Sequence, residues 1–316
     1  MKKFNEVYFR LFFESTGNIS FTMNEFKKFL DTAIKFKNGN IINEDKHLLI
    51  DIPSEFFNYC IENQGNKISF NKVKELMQTS KHYQNIKNND NVALLFKIFD
   101  FNDEFEIKDF IFKTFKITEN NSEIFLEAVK YFNDKCKHLD GFFNVYNNVG
   151  ICIINANSCD VQATIYHELS HYIQLVGNIR TVNEFNIDKE KIEDNEKFKK
   201  LKSLDITFQD LNYYFSSSEF VPHIDALIVG LWNVFQEFYN TKNDTDPLLN
   251  FFIILNKEIK ENDKFSSSKF LQQYSFANNG NIAPLIMYVA SYYFNHKYQK
   301  ITHIIKQSLK NKFYEL

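Results

Sequence analysis

The sequence predicts an α+β protein that is predominantly helical, with a small β-hairpin directly before one central helix and a helical C-terminal part. Gly and Pro are scarce, at 8 and 4 of 316 residues, so the chain has few residues suited to tight turns. Apolar residues recur three and four positions apart over long stretches, which favours amphipathic helices. Two short apolar runs flank Asn147-Asn148, a pair typical of a hairpin turn.

The first part of the chain, residues 1–120, is predicted to be a helix-rich region, and the residues give no indication of its role. Apolar spacing predicts a helix over Asn24 to Phe36, and Leu48 to Ile52 is typical of a short strand. Asn71 is suited to cap the next helix. Val92 to Phe99 is mostly apolar, so we expect it to be buried.

The second part, residues 121–316, is predicted to be one domain that begins with an orderly run of elements. Ser122 to Cys136 has the spacing of an amphipathic helix. Phe142 to Tyr146 and Gly150 to Ile154 are the predicted strands of the hairpin. The central helix follows the hairpin.

The central helix is bounded by Asp160, a suitable N-cap, and by Gly177-Asn178, a suitable stop. The polar and charged stretch over residues 183 to 203 is predicted to be an exposed excursion. After it, Pro222 suits the first turn of a strongly apolar helix, because proline lacks the N–H that this turn leaves unused. Pro247 to Leu316 has the spacing of about three further helices.

The central helix carries the motif H-E-x-x-H, formed by His167, Glu168 and His171. Two residues four positions apart share one face of an α-helix, so both imidazoles can bind one metal ion. At about 100° per residue, the apolar residues fall on a separate narrow stripe. The members of that stripe are Ile165, Leu169, Tyr172 and Val176. We expect the stripe to be buried, and the face with the histidines and Gln174 to line a cleft.

These residue types in this pattern indicate a zinc site that activates water. A catalytic zinc ion uses three protein ligands and one water molecule. Glu168 stands beside the first ligand, where its carboxylate can take a proton from that water and later deliver it to a leaving amine. We therefore expect His167 and His171 to be metal ligands, Glu168 to be the general base, and one zinc ion per chain to be the cofactor. The alternative is two surface histidines and a solvated glutamate.

The motif resembles that of the zinc-dependent metallopeptidases called zincins, over about residues 120–235. Metzincins continue as H-E-x-x-H-x-x-G-x-x-H, but Gln174 and Gly177 stand at the last two positions here, which excludes that group. What remains is similar to the gluzincin group, whose third ligand is a glutamate on a later helix. The resemblance implies a zincin-like catalytic core with the hairpin before the H-E-x-x-H helix, and a peptide or protein substrate.

Glu219 is the candidate for the third ligand. It stands at the start of the apolar helix, where the helix dipole favours a carboxylate, and it follows small serines that leave room for close approach. A glutamate on a helix after the motif is also what the gluzincin resemblance implies. His223 and Asp225 are competing ligands, because both residue types bind zinc. A further alternative is that Glu219 only caps its helix.

Peptide hydrolysis also requires a hydrogen-bond donor that stabilises the oxyanion. His223, Tyr213 and Tyr214 are candidates, and we assign His223 as the second catalytic residue. A structural role beside the metal ligands suits His223 as well. Asp225 is suited to accept the second N–H of a ligand histidine, or else it is an ordinary carboxylate at a helix start.

The resemblance also assigns a role to the strand before the motif helix. In small zincin domains that strand forms the upper edge of the cleft, where an extended peptide can add by main-chain hydrogen bonds. By that resemblance, Gly150 to Asn155 is the candidate substrate-binding edge. The alternative is an ordinary core strand.

Two classes of function therefore stay open. The first is a zinc metallopeptidase that hydrolyses peptide bonds, and the intact Glu168 favours it. The second is a catalytically inactive zincin-like module with a binding or structural role, since a fold does not determine function. A zinc hydrolase acting on a non-peptide amide is a third possibility.

Composition and charge limit the classes of binding partner and the cellular location that the sequence predicts. The formal charge is −3, from 37 basic and 40 acidic residues, so we expect no nucleic-acid partner. Four scattered cysteines predict free thiols instead of a disulfide scaffold. Asn5, Glu6 and Arg10 interrupt the apolar region that a signal peptide needs, and no apolar run reaches the roughly 20 residues of a membrane span. These features predict a cytoplasmic protein.

Overall fold

The computed structural model describes residues 21–31, 40–42, 50–87, 91–117, 122–158, 160–181, 207–214, 216, 219–239 and 247–261. Helices dominate this part of the chain, and its larger sheet has four strands in mixed orientation. The prediction of a predominantly helical α+β protein is therefore confirmed for the described residues.

Helices alternate with short strands along the described ranges. In chain order the elements are α1 (Met23–Asp31), β1 (Asn40–Ile42), α2 (Ser54–Glu62), β2 (Lys67–Ile68), α3 (Phe70–Leu76), α4 (Tyr83–Lys87), β3 (Ala93–Phe99), α5 (Glu104–Phe110), α6 (Ser122–Cys136), β4 (Gly141–Tyr146), β5 (Val149–Asn155), α7 (Val161–Val176), β6 (Ile179–Thr181), α8 (Phe208–Tyr214), α9 (Phe220–Tyr239) and α10 (Pro247–Glu261). A π-helical turn, Ile111–Phe115, continues α5. The elements α6, β4, β5, α7 and α9 lie where the sequence predicted them.

The chain divides into two compact units. The first comprises the described residues within 1–37 and 51–178, and the second those within 38–50 and 179–316. This division differs from the predicted boundary at residue 120. The reason is that one four-stranded sheet takes β2 and β3 from one side of that boundary and β4 and β5 from the other.

The sheet of the first unit has the strand order β2-β3-β5-β4. β3 runs parallel to β5, whereas β4 runs antiparallel to it, with Phe143 opposite Cys152. Asn147 and Asn148 connect β4 to β5 and have φ of 46° and 59°. A two-residue type I′ turn requires positive φ at both central residues, and asparagine tolerates that conformation. The predicted hairpin is confirmed.

β5 is the interior strand of this sheet, and all of its residues are buried. On one face, Val149 and Ile151 join the apolar core. On the other face, Gly150 lies against α7, since a Cβ built there would be 2.9 Å from Tyr172 Cδ2. Because β3 and β4 pair with its two sides, the prediction that Gly150 to Asn155 is a substrate-binding edge is wrong, and the alternative of a core strand is confirmed. The edge strand next to β5 is β4.

The apolar core of the first unit is rich in phenylalanine. Its fully or almost fully buried rings are Phe21, Phe26, Phe29, Phe99, Phe101, Phe110, Phe115 and Phe132. Phe115 meets Phe21 and Phe26 edge to face, with ring centroids 4.8 and 4.9 Å apart. Such pairs contribute about 0.5–1.5 kcal/mol each beyond the burial of apolar area. The same core includes residues of α1, α6 and β5, so α1 and α6 pack on the face of the sheet opposite α7.

The N-cap of α3 differs from the prediction. The Ser69 Oγ accepts a hydrogen bond from the Lys72 N–H at 3.3 Å, so Ser69 caps the helix and the assignment of Asn71 is wrong. The physical reason is that a cap must stand just before the first helical residue, whereas Asn71 already lies inside the first turn.

Other predictions for residues 1–120 are met in part. The helix predicted over Asn24 to Phe36 is present as α1, and residues 32–36 lie outside the described ranges. Residues 50–52 form neither helix nor strand, and residues 48 and 49 lie outside the described ranges. Val92 to Phe99 is largely buried, as predicted, and forms strand β3. Its parallel pairing with β5 was not predicted.

The second unit contains β1 and β6, which form a parallel two-stranded sheet, and the helices α8, α9 and α10. α9 is the long apolar helix predicted around Pro222, which lies in its first turn. α9 packs against α10, where the rings of Phe235 and Phe251 meet edge to face with centroids 5.8 Å apart.

Two predicted features lie outside the described residues, namely the excursion over residues 183 to 203 and the helices after residue 261. Within the described ranges, no helix combines the length and the apolar character needed to cross a membrane.

The burial of the cysteines predicts their reactivity. Cys60, Cys136 and Cys152 are buried free thiols. Burial raises the pKa of Cys60 and of Cys136 to about 12, and it raises the pKa of Cys152 well above its usual range. Because the thiolate is the reactive form, we expect a disulfide reagent such as DTNB to label none of the three at pH 8 in the folded protein. Labelling is measured by absorbance before and after unfolding in guanidinium chloride.

Cys159 lies outside the described residues, so a Cys159→Ser variant is the suitable background for this measurement. We expect the unfolded variant to react at all three remaining thiols. Rapid labelling of the folded variant would show that at least one of them is accessible and would contradict the described burial.

Candidate metal centre

The helix that carries the motif, α7, begins and ends where its local sequence requires. The Asp160 Oδ1 accepts a hydrogen bond from the Ala163 N–H at 2.9 Å, so Asp160 caps the first turn as predicted. At the other end, Asn178 has φ of 48°, a left-handed conformation typical of a helix stop. The predicted stop at Gly177-Asn178 is thus confirmed, with Asn178 taking the left-handed conformation. The whole motif lies inside regular α-helix.

One face of α7 is buried in the first unit, as the apolar pattern predicts. The four residues of the stripe, Ile165, Leu169, Tyr172 and Val176, are at most 3% exposed. The Tyr172 hydroxyl donates a hydrogen bond to the Val92 carbonyl at 2.7 Å. The stripe and this hydrogen bond set the rotation of α7 about its axis, which directs the motif histidines away from the stripe.

His167 and His171 lie one turn apart on α7, with their Nε2 atoms 3.2 Å apart. Two nitrogen ligands that each lie 2.0–2.1 Å from one tetrahedral zinc ion are roughly 3.3 Å apart. The two rings are nearly perpendicular, at 85°. Because the observed distance between the Nε2 atoms is close to the one expected for zinc ligands, the two imidazoles could bind one metal ion with little movement of either side chain. The same distance also suits a hydrogen bond between the rings.

Phe143, on β4, lies beside His171. The two rings are nearly parallel, at 11°, with centroids 6.5 Å apart. The Phe143 ring also meets Tyr172 edge to face, at 6.0 Å. His171 is 7% exposed, and the phenyl ring is part of what shields it from water. Sequence analysis predicted Phe143 as a strand residue, but no local signal indicated this contact.

Glu168 is 6% exposed, so its side chain is almost enclosed. After burial itself, the charge of Glu168 is the next cause of the raised pKa of the Cys152 thiol. Electrostatic interactions of an enclosed carboxylate are stronger than those of one in water, because the local dielectric constant is lower. Glu168 is therefore an enclosed carboxylate and not a solvated surface acid.

Glu219, in the second unit, stands directly before α9. Its carbonyl accepts a hydrogen bond from the His223 N–H at 3.0 Å, and its own N–H donates to the Ser216 Oγ at 3.3 Å. The predicted location at a helix start is thus confirmed. One ligand atom from each of His167, His171 and Glu219 lies within 4.8 Å of the other two, and this group could hold a metal ion.

The three candidate oxyanion donors contact one another, and His223 lies beside Glu219. We call Tyr213, Tyr214 and His223 the aromatic cluster. The His223 ring meets both tyrosine rings edge to face, with centroids 5.4 and 4.5 Å away. Its Nε2 atom lies 3.7 Å from the Glu219 Oε2. His223 is buried, whereas Tyr213 is 52% exposed. The sequence prediction grouped these residues correctly in space, and their roles stay predictions.

Gln174 lies on the histidine face of α7, one turn beyond His171, and is fully buried. Its amide nitrogen and oxygen have no hydrogen-bond partner among the described residues. Buried amide groups are normally satisfied by protein groups or by ordered water. The sequence predicts that this face lines a cleft, but the burial of Gln174 shows that its C-terminal end is enclosed.

Similarity to known proteins adds nothing to this geometry. No protein-family model matches the chain, and comparisons with curated proteins and with solved structures find no match either. The side chain of Asp225, a predicted partner of a ligand histidine, lies outside the part of the chain that the structure describes.

The cap of α7 leads to a testable prediction. Burial raises the pKa of Asp160, although the Ala163 and Gln162 N–H groups act in the opposite direction. We expect Asp160→Ala to lower the free energy of unfolding by about 0.5–2 kcal/mol, because the N-cap acceptor is lost. Asp160→Asn keeps an acceptor and removes a buried charge, so it should be neutral or stabilising at pH 7. Chemical denaturation of both variants at pH 7 and pH 4 measures these effects.

The sign of the pH dependence follows from the raised pKa. A carboxyl whose pKa is higher in the folded state stabilises the fold below its unfolded pKa of about 3.9, and this contribution is lost as pH rises through the folded pKa. Any advantage of Asp160→Asn should therefore shrink as pH falls toward 4. An asparagine variant as unstable as the alanine variant would show that the charge, not the acceptor, holds the helix start.

Proposed function

We propose that this protein is a zinc-dependent metallopeptidase, with His167, His171 and Glu219 as ligands and Glu168 as general base. The observation that carries the proposal is the grouping of ligand atoms from these two histidines and Glu219 within 4.8 Å of one another. The grouping coincides with an intact H-E-x-x-H motif inside a regular helix, which is the structural context that the motif requires.

The donor set fits zinc. Two imidazoles and one carboxylate match the His2Glu type of catalytic zinc site, which keeps a fourth position for water. Structural zinc sites use four protein ligands, most of them cysteines. Among the described residues, the group holds three ligand candidates and no cysteine. This composition supports a catalytic role over a structural one.

The proposed reaction is hydrolysis of a peptide bond. A zinc ion at this site would polarise the scissile carbonyl and acidify a bound water molecule. Glu168 directly follows His167 in the chain, so its carboxylate is suited to take the proton and to deliver it to the leaving amine. The near burial of Glu168 supports this role, because few water molecules compete for its carboxylate.

The aromatic cluster supplies candidates for stabilising the oxyanion. His223 is our first candidate, because it lies one turn after Glu219 and its Nε2 is 3.7 Å from the Glu219 Oε2. Tyr213 and Tyr214 are the alternatives, since a phenolic O–H can donate in the same way. Removal of one such donor typically lowers kcat by roughly 100- to 1,000-fold. If His223 instead only supports Glu219, its loss affects metal affinity before it affects turnover.

We also propose that a peptide substrate binds along β4. Extended peptides add to edge strands by main-chain hydrogen bonds. β4 is the edge strand next to β5, and its residue Phe143 lies beside the His171 ring. An antiparallel edge strand close to the H-E-x-x-H helix resembles the zincin arrangement, so the proposal includes a zincin-like catalytic core. The proposed substrate-binding edge is therefore β4, whereas the sequence suggested β5.

Zinc binding is the first test. We expect the purified protein to hold about one zinc ion per chain, and His167→Ala and His171→Ala each to abolish tight binding, because the two imidazoles supply half of the coordination shell. Glu219→Ala should weaken binding by roughly tenfold or more while the protein stays folded. Zinc content is measured by elemental analysis and affinity by competition with a chelator.

His138→Ala is the matched control for this test, because His138 is an exposed histidine outside the motif. It should leave zinc content unchanged, and His223→Ala should leave affinity largely intact. Unchanged zinc content in either motif variant would refute the site, whereas an unchanged affinity in Glu219→Ala would remove only the third ligand.

Turnover is the second test. Glu168→Gln should keep the metal and lose hydrolysis by roughly 100-fold or more, because an amide preserves the shape of the side chain but cannot act as a base. A peptide library screened with and without a chelator identifies cleaved sequences, and the variant is then compared with wild type on one of them. Glu62→Gln, which changes an exposed glutamate, should cleave at the wild-type rate.

The outcomes of the turnover test separate the two function classes. Equal rates for wild type and Glu168→Gln would exclude Glu168 from the mechanism. A protein that binds zinc but cleaves no peptide in the library would favour the inactive binding or structural module.

A further inference from the structure

The first residue of β4, Gly141, lies in unusually close contact with the motif helix. A Cβ built at this position would be 2.9 Å from the Thr164 Cγ2 and 3.1 Å from the Glu168 Cγ. It would also be 2.9 Å from the Ile153 carbonyl oxygen. Non-bonded carbon atoms are normally about 3.5–4.0 Å apart. Gly141 is therefore needed for a close approach between strand and helix.

The two nearest neighbours are held in place. The Ile153 carbonyl belongs to the backbone of interior strand β5, which is paired on both sides. Thr164 is fixed by its hydroxyl, which donates to the Asp160 carbonyl at 2.8 Å and lies 2.9 Å from the Ser158 Oγ. The Glu168 Cγ is the third contact, at 3.1 Å. A methyl group added at Gly141 would therefore press on the Glu168 stem as well as on the two nearer atoms.

We propose that Gly141 is a positioning residue for Glu168. Its bare Cα forms the surface on which the Glu168 stem packs, and this contact determines where the carboxylate stands relative to His167 and His171. The consequence for catalysis rests on the proposed function, in which Glu168 transfers a proton. Displacement of a reacting group by about 1 Å can lower a rate by about 100-fold, so a small shift of this stem matters.

A second glycine provides a matched control. Gly150, on β5, also faces α7, and a Cβ there would be 2.8 Å from the Phe143 Cε2 and 2.9 Å from the Tyr172 Cδ2. The crowding is similar, but Glu168 is not among its close neighbours. Gly150→Ala therefore reports the general cost of adding a methyl group between this sheet and α7. Because Phe143 lies beside His171, turnover is expressed per bound zinc ion.

The experiment compares wild type, Gly141→Ala and Gly150→Ala in zinc affinity, steady-state kinetics and crystal structure. We expect Gly141→Ala to keep zinc affinity within about threefold, because it does not touch the proposed ligands, and to lower kcat by roughly 10- to 100-fold with KM nearly unchanged. Gly150→Ala should leave the Glu168 Cγ in its wild-type position relative to the α7 backbone, since its methyl group meets Phe143 and Tyr172 instead. In the crystal structure of Gly141→Ala, the Glu168 Cγ should move by several tenths of an ångström relative to wild type.

A wild-type kcat for Gly141→Ala, or an unmoved Glu168 in the Gly141→Ala crystal structure, would overturn the proposal. If Gly141→Ala does not fold, a crystal structure of the zinc-loaded wild type decides, because the Glu168 stem must then still pack on Gly141. A stem that has swung away from Gly141 overturns the proposal. If wild type binds zinc but cleaves nothing, the peptidase proposal fails, while the displacement in the crystal structures still tests the positioning contact.

Discussion

The rotation of α7 about its own axis is the constraint on which the rest of the candidate site depends. Burial of a large apolar side chain stabilises a fold by about 1.5–3 kcal/mol, and four such residues of α7 face the interior. The Tyr172 hydroxyl adds a hydrogen bond to the Val92 carbonyl. Because neighbouring residues differ by about 100°, a rotation by one position would take this stripe out of its apolar contacts and turn His167 and His171 out of their present directions. The apolar packing thus decides the direction of both motif imidazoles.

Much of the first unit could be predicted because its signals are local. Asp160 caps α7 through an N–H three residues away, and Asn147-Asn148 closes the hairpin through their own backbone conformation. The spacing of His167 and His171 depends only on helix geometry. Each of these features is encoded within a few residues, so one sequence is enough to find it.

The remaining features depend on contacts between distant parts of the chain. The parallel pairing of β3 with β5 made β5 an interior strand. The continuous apolar run over Ile151 to Ile154 is consistent with a buried strand, but it does not identify the distant strand that pairs with it. The role of Gly141 could not be predicted either, because the sequence does not distinguish a glycine that allows close approach from one that forms a turn. Glu219 was found through its position at a helix start and through the family resemblance, not through its spacing from the motif.

The two-residue turn at Asn147-Asn148 also fixes the register of β4 against β5. Side chains alternate between the two faces of a strand, so Gly141 lies against α7 while Phe142 packs against the core on the opposite face. A slip of one residue in the pairing would exchange the two faces. The benzyl group of Phe142 would then occupy the space beside Glu168 that glycine now leaves open. A change in the length of this turn would therefore reach the candidate site, although neither asparagine belongs to it.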